Sequence, residues 1–125
     1  MLVDDSKATN FFNKTILGKL SICESLEICE NGMEALQIIK EKGIPDLIFL
    51  DINMPVMNGW QFMDELLEQE EQGYNIVLMI GAELGEAHKE DLKKYPFVKG
   101  QSPKMLTVHF VCGLVKELFE LSACK

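Results

Sequence analysis

Long apolar runs are missing from this sequence. No stretch approaches the ~20 residues that a membrane-spanning helix needs, and the chain does not open on a signal-peptide pattern. Basic blocks are missing as well. Lys and Arg total 12 against 20 Asp and Glu, a net charge of -8. Such a surface repels phosphate backbones, so neither a nucleic acid nor a membrane is expected as a partner. Metal-ligand patterns are also absent. Cys23, Cys29, Cys112 and Cys124 have no Cys-x-x-Cys spacing, and His88 and His109 have nothing resembling a zinc pattern around them. Reduced, packed thiols in a cytoplasmic protein are the expectation. There is no repeat, low-complexity tract or linker. The composition, 47% hydrophobic and 26% charged, is that of an ordinary globular chain. Its 125 residues are expected to form a single domain, residues 1–125.

What is present is an alternation. Met1-Leu2-Val3 is apolar and is followed by a helical pattern carrying Phe11, Phe12, Ile16 and Leu17, closing at Gly18. Ser25 to Cys29 reads as a short strand, and Asn31-Gly32 opens a helix that ends near Gly43. Leu47 to Leu50 and Ile76 to Ile80 are continuous apolar runs, the mark of strands covered on both faces. Between them Gly59 to Gln72 is helical in pattern. Glu86 to Lys94 reads as a polar helix, Phe97 to Pro103 as a weak strand, and Leu106 to Leu121 as an amphipathic helix. This βαβαβ series predicts an α/β fold with a parallel sheet between helices, and with ligands gathered beyond the carboxyl ends of the strands.

Acids collect at those ends. Asp4 and Asp5 close the first apolar run and Asp51 closes the third. If those strands are neighbours, three carboxylates meet at one edge, where their mutual repulsion raises pKa values unless a cation compensates. Mg²⁺ prefers oxygen ligands and suits such a site. A helix cap at Asp5 or Ser6 is the plainer explanation of one strand-end acid, but not of three. A mobile ammonium is the natural fourth member, and Lys99 and Lys104 are the candidates.

The stretches "LVDDS" (2–6), "NGMEAL" (31–36) and "DLIFLDINMPVMNGW" (46–60), with a Lys before the last helix, resemble the receiver domain of two-component response regulators. The resemblance covers nearly the whole chain. It implies the flavodoxin-like, CheY-like doubly wound fold, a five-stranded parallel sheet flanked by five helices. It implies Asp51 as the acceptor of a phosphoryl group from a histidine kinase or phosphotransfer protein. It implies Mg²⁺ held by Asp4, Asp5, Asp51 and the backbone carbonyl of Asn53, with Asp5 the more direct ligand of the acidic pair. Met54-Pro55 and Gly59 match the loop that turns the chain back after the acceptor.

Elsewhere the sequence departs from the family. Gly81 stands where receivers carry a Thr or Ser that hydrogen-bonds the phosphoryl group. Lys104 has the family's spacing from Gly81, but Met105 replaces the usual Pro, and Gln101 falls at the aromatic switch position of a strand reading "GQSP". Lys99 follows the more strand-like "PFV". Lys104 is preferred. Glu83 is either a gate for water near the acceptor or a plain surface acid.

The resulting expectation is a receiver without an output domain, a monomer or weak homodimer, signalling through a downstream protein with its hydroxyl-and-aromatic switch depleted. It would catalyse at most its own phosphorylation and dephosphorylation. The alternative is a degenerate receiver acting as a phosphorylation-independent interaction module. A phosphohydrolase would need an acid at Asn53, which cannot transfer protons usefully. A flavin site would face the charges of Asp4 and Asp5.

Overall fold

The computed structural model describes residues 1–20, 25–69, 73–80 and 90–119. In chain order the elements are β1 (Leu2–Val3), α1 (Lys7–Lys19), β2 (Ile28–Cys29), α2 (Gly32–Lys42), β3 (Ile48–Asp51), α3 (Gly59–Glu68), β4 (Ile76–Met79), α4 (residues 90–92 as described), β5 (Val98–Ser102) and α5 (Val108–Phe119). All five strands are parallel in one sheet of order β2-β1-β3-β4-β5.

The continuous apolar runs are explained by cover on both faces. Successive strand residues point to opposite sides, and here each side meets helices. Val3, Ile48, Leu50, Ile76 and Leu78 pack with Ala35, Ile39, Phe62 and Leu66, beneath α2 and α3. Leu2, Phe49, Val77 and Met79 pack with Leu17, Val111, Leu114 and Val115, beneath α1 and α5. Full burial of a single Leu, Ile or Phe is worth roughly 1.5–3 kcal/mol. Two such layers are what hold the central strands.

The edge strands read differently because only one side pairs. β2 is reduced to two residues, and Ile28 remains 37% exposed. At the other edge, Lys99 and Gln101 of β5 face solvent while Ser102 is buried. The polar "GQS" segment is therefore tolerated as an edge. Its pairing with β4 runs Ile76 to Val98 and then Val77 to Gly100, so Lys99 is the extra residue of a β-bulge.

Helix boundaries follow their caps. The Ser6 hydroxyl accepts from the Thr9 amide at 3.2 Å, and the Asn31 carboxamide from Glu34 at 2.9 Å. Asn58 and Gln61 form a reciprocal capping box at the start of α3. Gly43 ends α2 at φ 93, a conformation that favours glycine. Several expected ends shift. The first helix runs past Gly18 to Lys19, α3 stops at Glu68, and Leu106 lies before α5 as a fully packed core residue.

One expectation about the thiols is corrected. Cys29 is free and buried, and burial pushes its thiol up to about 11. Cys112, however, is disulfide-bonded, so reduced thiols throughout is not the state of this structure.

Candidate functional site

β1 and β3 are adjacent, with Val3 beside Leu50. The next residues, Asp4 and Asp51, therefore leave the sheet at the same level. One carboxylate oxygen from each of Asp4, Asp5 and Asp51 lies within 4.8 Å of the others. Asp4 and Asp51 are almost wholly buried, and Asp5 is exposed. Ser6, not Asp5, caps α1, which leaves the Asp5 carboxylate out of the helix start.

The hydrogen bonding of this cluster is incomplete in a telling way. Asp4 Oδ1 accepts from the Ser6 amide at 2.8 Å, and the Asp4 carbonyl accepts from Asn10 Nδ2 at 2.7 Å. Asp4 Oδ2 and Asp51 Oδ2 are buried without a hydrogen-bond partner among the described residues. Burial raises the Asp4 carboxyl above its ordinary range. The Ser6 amide opposes that shift, and the Asp51 charge adds to it. Two partnerless buried carboxylate oxygens beside a third carboxylate form a donor set that fits a hard divalent cation.

Lys104 completes the cluster. Its ammonium is 3.3 Å from Asp51 Oδ1. Lys99 is elsewhere: exposed on the bulge, it donates to the Pro96 carbonyl at 3.4 Å. The bulge also decides the spacing, because Ser102 rather than Gln101 pairs with Met79, the β4 neighbour of Asp51.

The segment after Asp51 is closed by backbone contacts. The Gly59 amide donates to the Ile52 carbonyl at 2.8 Å, and the Gly32 amide to the Met57 carbonyl at 3.1 Å. A Cβ on Gly59 would lie 2.7 Å from the Asp51 carbonyl oxygen, so only glycine fits there. Val56 sits at φ 67, where a β-branched residue is strained. Asn53 is exposed, two residues beyond Asp51. Trp60 packs on the α2/α3 side of the sheet, its ring 5.9 Å from that of Tyr95. Gly81 and Glu83 lie outside the described residues; Gln101 is at the surface of β5.

Two buried asparagines on α1, Asn10 and Asn13, were not singled out from the sequence. The signal was there in "NFFN", polar residues three apart on an otherwise inward-facing stripe.

A doubly wound sheet with this strand order, and an acidic cluster flanked by lysine at the carboxyl ends of β1 and β3, defines an α/β domain whose ligand site lies at the topological switch point. The response regulator receiver domain model matches residues 1–95, and the chain belongs to that family. It is 35% identical over 68 residues to two-component response regulator 24 of Arabidopsis thaliana, covering 54% of this chain and 48% of that protein. It is 33% identical over 67 residues to protein-glutamate methylesterase/protein-glutamine glutaminase 3 of Burkholderia thailandensis, covering 54% of this chain and 18% of that protein. The chain thus spans less than half the length of either relative. The crystal structure of a two-component response regulator from Cytophaga hutchinsonii superposes with a TM-score of 0.83 at 24% identity, covering 96% of this chain and 95% of that one. That likeness carries the fold, including β5 and α5, beyond the residues matched by the family model.

Receiver domains generally bind Mg²⁺, and they interact with histidine kinases and downstream proteins. No helix among the described residues is long and apolar enough to cross a membrane.

Proposed function

We propose that Asp51 accepts a phosphoryl group from a histidine kinase or phosphotransfer protein and that the modified domain signals through a downstream protein contact. The observation that carries this reading is the Lys104 ammonium 3.3 Å from Asp51 Oδ1, beside the partnerless oxygens of Asp4 and Asp51. In the step, an Asp51 oxygen attacks phosphorus and a P–O bond forms as the donor's P–N bond breaks. The leaving nitrogen takes a proton, and the product is a mixed anhydride. Lys104 offsets charge on the transferring oxygens, which is much of what phosphoryl transfer requires. Asp4, Asp5, Asp51 and the Asn53 carbonyl would hold Mg²⁺, which supplies further charge neutralisation there.

The test is incubation with phosphoramidate, with and without Mg²⁺, followed by intact mass. Gain of one phosphoryl group only when Mg²⁺ is present is expected. An unmodified protein, under conditions where a reference receiver reacts fully, would sink the reading.

A second reading is favoured by Gly81, which has no hydroxyl, and by Gln101 at the surface position of β5. Here the domain docks onto partners without phosphorylation. A protein whose stability does not respond to Mg²⁺ supports this alternative, since a bound ion stabilises the folded state.

A further inference from the structure

The segment between β5 and α5 carries Lys104 but belongs to neither a strand nor a helix. Its backbone groups need partners from elsewhere. One side chain provides two of them. Asn13, on α1 and with no solvent exposure, donates from Nδ2 to the Lys104 carbonyl at 2.9 Å and accepts at Oδ1 from the Leu106 amide at 2.8 Å. Nδ2 also lies 3.8 Å from the sulfur of Met79, the residue paired with Asp51 on one side and Ser102 on the other. A single carboxamide thus grips both ends of Lys104-Met105-Leu106 and rests on the strand next to the acceptor.

The geometry points to Asn13 as a positioning residue for Lys104, a role that rests on the phosphoacceptor reading above. Two facts argue against filler. An apolar side chain would fill this fully buried place without desolvating a carboxamide but would strand the Lys104 carbonyl and the Leu106 amide, and its neighbours Met79 and Leu106 belong to an apolar cluster. Met105, moreover, stands where the resembled family carries proline, so no ring restricts the backbone just after the lysine. The Lys104 side chain is 43% exposed, and its reach to Asp51 depends on where its own backbone is held. Asn13 holds that backbone relative to α1 and β4.

The experiment is a double-mutant cycle on the full chain, with phosphoramidate as donor at saturating Mg²⁺ and Mg²⁺ affinity measured separately. Asn13→Leu should slow phosphorylation about tenfold, in the range seen when the support of a reactive group is removed. In a Lys104→Ala background the same change should matter less than about twofold, because there is no ammonium left to place. Mg²⁺ affinity should stay within about twofold, and hydrogen exchange at the Leu106 amide should accelerate. Asn13→Ala, which removes both hydrogen bonds without adding bulk, takes the place of Asn13→Leu if the larger residue does not fold. An equal loss in both backgrounds means general loosening and overturns the proposal. So does a wild-type rate in the single variant, or unchanged exchange at Leu106. A wild type that takes up no phosphoryl group at all removes the functional reading and this inference together, an outcome distinct from the other three.

Discussion

Lys104 Nζ stands 3.3 Å from Asp51 Oδ1, although one residue follows the edge strand and the other ends the central strand. Their proximity gives the first prediction. Lys104→Ala should slow phosphorylation by phosphoramidate about 100-fold, whereas Lys99→Ala, on the exposed bulge, should leave the rate unchanged. Intact mass against time distinguishes them, and equal effects would contradict the assignment.

Asp4 yields a prediction about pH. Its carboxyl is raised chiefly by burial, with the Asp51 charge adding to the effect. The folded protein therefore holds this proton more tightly than the unfolded chain does. The metal-free fold gains stability as pH falls through the raised value, completes that gain below the ordinary 3.8, and loses it as pH rises. Asp4→Asn carries no charge to desolvate. In EDTA at neutral pH it should melt about 3 °C above the wild type, and the gap should close on acidification. Added Mg²⁺ should raise the melting temperature of the wild type more than that of the variant. A gap that widens in acid would contradict the account.

Gly59 and Gly113 should respond in opposite directions to alanine. At Gly59 the new methyl meets the Asp51 carbonyl at 2.7 Å and the Ile52 Cα at 2.9 Å, both backbone atoms that cannot swing away. A loss of about 2 kcal/mol is expected. Gly113 lies exposed inside α5 with nothing within 4 Å, so alanine there should stabilise by about 0.5–1 kcal/mol. Urea unfolding of the two variants beside the wild type measures both values.

Val56→Gly should stabilise by about 1 kcal/mol, because the left-handed backbone at φ 67 disfavours a β-branched residue. The side chain is 79% exposed, so little packing is lost. A variant less stable than the wild type in chemical denaturation would show that Val56 makes a contact worth more than its strain.

Much of this molecule could be read before any coordinates. The runs at 47–50 and 76–80 announced strands covered on both sides, since only two helical layers make such runs affordable, and acids at the ends of neighbouring strands had to converge. The lysine was harder. Spacing from Gly81 favoured Lys104 over Lys99, but it could not show that β5 bulges, because a bulge reflects pairing with β4 rather than local preference. Ser25 to Cys29 contracted to two paired residues for a related reason, as an edge strand keeps only the pairs its neighbour extends to. Asn13 could be placed on the inward stripe from "NFFN", but its two backbone partners could not be read, because they lie far along the chain. Local periodicity reports which face a residue occupies, not what it touches there. The bonding state of Cys112 was equally hidden, since disulfide pairing is a matter of spatial approach.

The irregularity at Lys99 also bears on how chain length is absorbed before the functional end of β5. A strand that can absorb or expel one unpaired residue lets the preceding linker drift in length without displacing the functional end.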